Sequence, residues 1–498
     1  MYSKIMTAVN WGIEGQTVEI ETNIFKGLPN HIIVGLPSMI IKESKERVKS
    51  ALKATGFRFP SDRIVQNLYP ANLKKEGSQM DLPIAMGIIT SVIEGANVDF
   101  TGFGFLGELS LDGKIQPVSG ILSLIEGMKA SFIKHIVIPK ANFSEAQYIE
   151  AVTLYPYDSL KKLVDDAITG TLKKMPKSDV ICLPEFIDQK DISDIIGQNA
   201  AIRAAQIATA GFHNLLIIGP PGCGKSMLAE RLRSIMPPMS LEHKIEVTKV
   251  YGICDDERLG GLITHRPFRA PHHTISRIGL VGGGTPILPG EISKAHRGVL
   301  YLDELGEYKC DAIDALREPM SSGVINLTKG GKSLSYPAQF MLVATMNPCP
   351  CGHYMSSDDR CTCTQYDIKK YFGKISWPIL DRLDMTIYMN RVENLETILT
   401  SRQTTLTSEK MRASVETAQH FKKDRDNNEE KHIWMTKDAE SVILKFHEKG
   451  KLSMRSYEKL VSVSRTIADL DQSMHIEKKH VLEAYSYQTA NQIKRFFE

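Results

Sequence analysis

Between the apolar run NLLII and the helical run SMLAERLRSIM lies GPPGCGKS, and no other stretch of the 498-residue chain restricts its fold as much. The pattern G-x-x-x-x-G-K-[ST], entered from a strand and left through a helix, demands a tight turn that aims backbone N–H groups at one point. The partial positive charge of the following helix N-terminus adds to that field, so the turn suits a phosphate. Gly219, Pro220, Pro221, Gly222, Cys223, Gly224, Lys225, Ser226 and Met227 are therefore expected to line a nucleotide site. Lys225 is expected to reach the β- and γ-phosphates, and Ser226 to ligate magnesium.

Two further apolar runs complete the pattern. GVLYLDEL ends in Asp303-Glu304, and FMLVATMN ends at Asn347. Runs this apolar suit a parallel sheet buried on both faces. Adjacent carboxylates can cap a helix. At a strand end downstream of a phosphate turn they fit another use: Asp303 on magnesium and Glu304 polarising the attacking water, with Asn347 orienting that water beside the γ-phosphate. ATP and Mg2+ are the expected cofactors.

The flanks differ in pattern. Residues 1–172 alternate strand-like runs (TVEIET, HIIVGL, HIVIP) with a helical one (IKESKERVKSALKATG). Residues 173–190 read as a polar linker with two prolines. Residues 191–392 form the α/β core, and 393–498 carry helical periodicity in KDAESVILKFHEKG, SYEKLVSVSRTIADL and KKHVLEAYSYQTANQIKRFF. The longest nearly apolar run, LPIAMGIITSVI, is too short for a membrane helix, and the N-terminus lacks a signal-peptide pattern. A soluble, cytoplasmic chain with no membrane partner is expected. Net charge is only +3, so affinity for nucleic acid must come from a local patch. One lies between Arg258 and Arg297, with six Lys or Arg and four His against a single acid, Glu291.

FRAPHHT, LVGGG, PGEISKAHRGVLYLDEL, MNPCPCG and LDRLD together resemble the magnesium-chelatase-like AAA+ ATPases of the ComM/YifB family. The resemblance covers essentially the whole chain. It implies a P-loop AAA+ parallel α/β core, a C-terminal helical lid and a homo-oligomeric ring, a hexamer. It also implies a DNA-translocating motor of recombination and natural transformation, with single-stranded or branched DNA as partner. By its order in the chain Arg382, in LDRLD, resembles an arginine finger offered to a neighbouring subunit. Arg455, in LSMRS, resembles the second sensor, and DISDIIGQ, with Ile196, resembles the segment that holds adenine.

The N-terminal region carries a second likeness. KEGSQMDLPIA and GELSLDGKIQPVSGILSLIEGMKASFIKHIVIPK resemble the α+β proteolytic domain of Lon proteases. Gln79 falls where that family has its serine, with Ser78 one position away, and Leu122 falls where it has its lysine. A serine–lysine dyad needs both partners, so a protease fold without peptidase chemistry is expected. An ATP-dependent Lon-like protease is a disfavoured alternative. A chelatase-type motor that remodels a protein partner for metal insertion is another.

Four of the eight cysteines stand together: Cys349, Cys351, Cys361 and Cys363, two C-x-C pairs nine residues apart in a loop spanning 347–364. Four thiolates complete a tetrahedral zinc shell, so Zn2+ is expected there, with His353 and Asp359 as spare ligands; unmetallated thiols or a redox switch are the alternatives. GVINLTKGGKSLSYP reads as a hairpin with Gly330-Gly331 at a tight turn, placing Lys329 and Lys332 at its tip. SRIGLVGGGTPILPG reads as a second insertion, with Arg277 near its glycine-rich tip. Lys329, Lys332 and Arg277 are the candidate DNA contacts.

Overall fold

The structure is a computed structural model that describes residues 1–92, 100–176, 190–254, 260–329, 332–355, 360–392, 406–427, 435–448, 452–494 and 496. The chain divides into two compact units that interleave in sequence. One comprises Met1–Pro184, Leu241–Ile263 and Thr328–Ser335; the other comprises Glu185–Ser240, Thr264–Leu327 and Tyr336–Glu498.

The first unit is built on a mixed seven-stranded sheet. Its strands are β1 (Tyr2–Trp11), β2 (Glu14–Phe25), β3 (Asn30–Val34), β4 (Arg63–Tyr69) and β5 (Phe103–Phe105), while β6 (Glu108–Leu109) and β7 (Ile115–Gln116) pair separately. With β8 (His135–Pro139) and β9 (Thr153–Tyr157) the order is β3-β4-β2-β1-β5-β8-β9. β1 and β2 form an antiparallel hairpin in which Ile5 faces Ile20. Both are fully buried in one apolar cluster with Ile41, Val48 and Leu52 of the helix Met39–Ala54. Those three positions recur at helical spacing within IKESKERVKSALKATG, which puts one apolar stripe on the sheet. LPIAMGIITSVI forms most of the helix Asp81–Val92, which is buried nearly all round and so lacks an amphipathic pattern.

The second unit holds β10 (Leu215–Ile218), β11 (Phe268–Arg269), β12 (Gly282–Gly283), β13 (Leu288–Pro289) and β14 (Val299–Leu302). Next in the chain come the hairpin strands β15 (Val324–Lys329) and β16 (Lys332–Pro337), of which Thr328–Ser335 is counted with the first unit, and then β17 (Met341–Met346) and β18 (Met385–Tyr388) of the second. Five of these make a wholly parallel sheet in the order β11-β14-β17-β10-β18. Every residue of β10, β14 and β17 is buried. Side chains alternate between the two faces: Leu215, Ile217, Val299, Tyr301, Met341 and Val343 join one core, and Leu216, Ile218, Leu300, Leu302, Leu342 and Ala344 the other. This period of two, apolar on both faces, is what made these runs legible.

C-terminal helices cover one of those cores. Met411, Ile443, Leu460, Ile467 and Val481 pack into it from the helices Ser408–Asn427, Lys437–Glu448, Met454–Leu470 and Lys478–Ser486. The last expected helix is broken. It stops at Ser486, and a short helix resumes at Thr489. The break turns the Tyr487 carbonyl toward the edge strand β18, where it accepts from the Thr386 N–H at 2.7 Å. β11 is two residues long and β18 is not a continuous apolar run, and only pairing with the central strands makes them part of the sheet.

Candidate nucleotide site

The register of the parallel sheet builds the site. Ile218, the last residue of β10, pairs with Met346 of β17, and Leu302, the last of β14, pairs with Ala344. The segments leaving β10, β14 and β17 therefore emerge side by side at the carboxyl edge, where open α/β sheets bind ligands. GPPGCGKS follows β10. Gly222 and Gly224 take φ of +77° and +97°, conformations that L side chains avoid. At Gly219 the backbone passes so close to β18 that a Cβ would stand 2.4 Å from the Met389 carbonyl oxygen. The helix Lys225–Ile235 starts directly after this turn.

Lys225 lies at the centre of the loop. Its Nζ donates to the carbonyls of Gly219 and Pro220 at 2.7 and 3.0 Å, and to Asn347 Oδ1 at 3.1 Å. Burial holds its ammonium below the ordinary lysine range. Ser226 Oγ faces Asp303 Oδ2 at 3.3 Å. A hydroxyl beside a carboxylate supplies the hard oxygen ligands that magnesium takes, so the donor set fits that ion. Glu304 is exposed and sits at φ +53°, a left-handed conformation uncommon outside glycine and asparagine. Ile196, half-buried, is in a segment pinned to the end of β18: Gln198 Nε2 donates to the Asn390 carbonyl at 2.6 Å.

Two residues escaped the sequence reading. Thr345, two positions before Asn347, donates its hydroxyl to Asp303 Oδ1 and accepts the Glu304 N–H at 3.1 Å. One side chain of β17 thus fixes both carboxylate positions after β14. Its signal was a polar residue within an otherwise apolar strand. Arg391, just past β18, donates from Nε and Nη2 to the Pro221 carbonyl at 3.1 and 3.0 Å; nothing in the sequence marked it.

Arg382 and Arg455 belong to a second cluster. Arg382 donates to Ser321 Oγ and to the Pro378 carbonyl, both at 2.8 Å, and Arg455 pairs with Asp381 at 3.0 Å. Burial and the nearby charges of Arg455 and Arg317 lower the Arg382 pKa. Among the described residues neither arginine hydrogen-bonds to the phosphate loop. The structure therefore joins Arg455 to Arg382 and not to Lys225.

The four cysteines converge as expected. Their sulfurs all lie within 4.8 Å of one another, and Cys349 is fully buried. Cys349 Sγ also accepts the Tyr354 N–H at 3.3 Å. His353 is in the loop but outside this group, and Asp359 lies outside the described residues. The loop ends in a capping box, Thr364 with Asp367, that starts the helix Gln365–Phe372.

β15 ends at Lys329 and β16 begins at Lys332, so the hairpin has the expected strands. Gly330, Gly331 and the side chains of Lys329 and Lys332 lie outside what is described. Arg277 opens the short helix Arg277–Val281, capped by Ser276, which precedes the β12–β13 ladder of that insertion. In the N-terminal unit Ser78 Oγ donates to Glu108 Oε2 at 2.6 Å, Gln79 Nε2 donates to the Glu76 carbonyl, and Leu122 is 2% exposed.

The comparisons with known proteins fit this geometry. Residues 191–397 match the magnesium chelatase ChlI-subunit family, residues 20–142 the family described as subunit ChlI of Mg-chelatase, and residues 405–488 its ChlI C-terminal family. The uncharacterized protein YifB of Escherichia coli K12 is 35% identical over 99% of this chain and 98% of its own length. The competence protein ComM of Haemophilus influenzae is 36% identical over 97% of this chain and 96% of its own. An uncharacterized protein of Mycobacterium tuberculosis H37Rv, Rv2897c, is 38% identical over 76% of this chain and 75% of its own. With relatives this similar along nearly its full length, and with a phosphate loop set in a parallel sheet, the chain belongs to the magnesium-chelatase-like ComM/YifB family of AAA+ proteins.

Proposed function

We propose that the chain is an ATP-hydrolysing ring motor that acts on DNA, migrating branched intermediates or unwinding strands during recombination in natural transformation. Family membership implies ATP hydrolysis with magnesium. The observation that carries the reading of the site is the meeting of Lys225, Ser226, Asp303, Thr345 and Asn347 at the ends of three adjacent parallel strands. Lys225 neutralises phosphate charge, Ser226 and Asp303 hold the magnesium ion, and Asn347 orients the water. Glu304, exposed beside Asp303, polarises that water.

Arg382 and Arg455, clustered away from this loop, are offered together to the nucleotide of a neighbouring protomer. A hexamer suits such a shared site. The hairpin tip with Lys329 and Lys332, with Arg277 as a secondary contact, grips the phosphate backbone. The domains run 1–172, 173–190 (linker), 191–392 with the cysteine loop 347–364, and 393–498, a helical lid. The start of one family match at 191 supports the bound between the linker and the core. The cytoplasm suits a DNA motor, and no described helix is long and apolar enough to cross a membrane.

The N-terminal region serves as a Lon-like scaffold without peptidase chemistry. The burial of Leu122 and the local bond of Gln79 support that reading over a protease. The name of the Haemophilus relative, a competence protein, favours DNA over the chelatase-type alternative. The deciding experiment measures ATP hydrolysis with and without single-stranded and branched DNA. Several-fold stimulation by DNA is expected; hydrolysis indifferent to every DNA form would remove DNA as the substrate.

A further inference from the structure

We propose that Cys349, Cys351, Cys361 and Cys363 hold a zinc ion whose knuckle braces the phosphate loop, so that the metal positions the nucleotide site. The proposal rests on the ATPase reading above and deepens it.

The donor set fits zinc. Cys349 lies 3.3 Å from Cys351 and 3.8 Å from Cys361, and Cys351 lies 3.7 Å from Cys361, measured between sulfurs. A tetrahedron with zinc–sulfur bonds of about 2.3 Å has edges of about 3.8 Å. Binding would displace the thiol protons to solvent and leave four thiolates on one divalent cation. The Tyr354 N–H on Cys349 Sγ is the kind of outer hydrogen bond that steadies a metal thiolate.

Contact with the phosphate loop gives the knuckle its role. The turn Cys349–Gly352 closes with the Gly352 N–H on the Cys349 carbonyl at 3.0 Å. Gly352 has φ +83°, and a Cβ there would stand 2.8 Å from Cδ and 2.9 Å from Cγ of Pro221. The knuckle backbone therefore lies directly on the phosphate loop, and glycine alone permits both the conformation and the approach. Asn347, two residues before the first ligand, accepts from Lys225. The Pro221 carbonyl is held in turn by Arg391. On the far side of the knuckle the Tyr388 hydroxyl donates to the Tyr354 carbonyl at 3.3 Å. Pro221 is thus clamped between a side chain that leaves the sheet after β18 and a loop whose described residues form no helix or strand. Four metal–sulfur bonds supply the rigidity that the loop's few buried apolar residues cannot.

The test uses the full chain. Metal content is measured by mass spectrometry, ATP affinity by titration calorimetry, and folding by circular dichroism, for wild type, Cys361→Ser, Gly352→Ala, Lys225→Ala and Cys310→Ser. Wild type should carry about one zinc per chain. Cys361→Ser should lose the metal and bind ATP about tenfold or more weakly, the scale of a lost supporting shell. Gly352→Ala should keep the zinc and still bind ATP several-fold more weakly, because its methyl group pushes on Pro221. That variant decides the matter if Cys361→Ser fails to fold. Cys310→Ser, an exposed thiol outside the group, should match wild type in both readouts. A metal-free wild type, or wild-type ATP affinity in zinc-loaded Gly352→Ala, would overturn the brace. Failure of the underlying ATPase reading looks different: zinc-loaded wild type would bind ATP no better than Lys225→Ala.

Discussion

Each unit gathers polar side chains in one place, and the two sets are used differently. At the carboxyl edge of the five-stranded sheet, Lys225, Ser226, Asp303 and Asn347 are joined by bonds between segments that are far apart in the chain. Around the turn that leads into the helix Asp81–Val92 of the N-terminal unit, Gln79 bonds to the backbone three residues away, Ser78 meets Glu108, and the buried Asp81 is bound by both Arg47 Nε and Nη2. The first arrangement leaves an exposed carboxylate, Glu304, near a half-buried ammonium. The second leaves its polar groups paired within the fold. The difference teaches that strand direction matters: parallel strands deliver several successive loops to one edge, where groups from distant segments act on one ligand.

The contrast is broken most forcefully at Arg382. Arg382→Ala should lower ATP turnover by about 10³- to 10⁵-fold, the usual range for an arginine finger. Mixed rings of Arg382→Ala and Lys225→Ala protomers should regain partial hydrolysis; no recovery in rings shown to be mixed argues against action across an interface. Glu304→Gln comes next, at about 10²- to 10⁴-fold for a lost general base, with ATP binding retained. Turnover by that variant at the wild-type rate removes the role from Glu304.

A third test concerns stability in the N-terminal unit. Burial pushes the Glu145 carboxyl up to about 7, against a hydrogen bond from Asn142. The folded state therefore binds this proton more tightly than the unfolded chain. The associated stability is present below the ordinary carboxylate range and is lost as pH rises to about 7, by about 3 kcal/mol. Denaturant titrations at pH 5 and 7.5 should show that loss in wild type and not in Glu145→Gln; equal slopes in the two proteins would refute the assignment.

A smaller effect is expected at the hairpin. Lys329→Ala with Lys332→Ala should weaken DNA binding and make its salt slope shallower by about 1.5, from two lost phosphate contacts. An unchanged slope would place the grip elsewhere. Smallest of all, Ser78→Ala should leave casein uncleaved, as in wild type. ATP-dependent cleavage that vanishes in this variant would restore the protease alternative and erase the contrast between the sheets.

Much of this architecture is written in local sequence patterns. The glycines of the phosphate loop, the three apolar strands and the clustered cysteines are local patterns, and each states its own geometry through spacing. β11, β18 and the break at Tyr487 were not legible. β11 has only two residues, β18 (MTIY) lacks the unbroken apolar run of β10 and β14, and a helix stop that serves a distant strand has no local mark. Arg455 was placed by order in the chain, and order says nothing of which carboxylate a long side chain will find.

A buried parallel sheet, a phosphate turn after one strand and a four-thiol loop after another are already present in the order of residues, because backbone conformation and burial follow from near neighbours. That Thr345 holds Asp303, that Arg391 and Gly352 grip Pro221, and that Arg455 pairs with Asp381 follows only from the packed fold. These contacts join residues up to 170 positions apart. They depend on strand order and register, which packing of the whole sheet fixes and which no window of sequence contains.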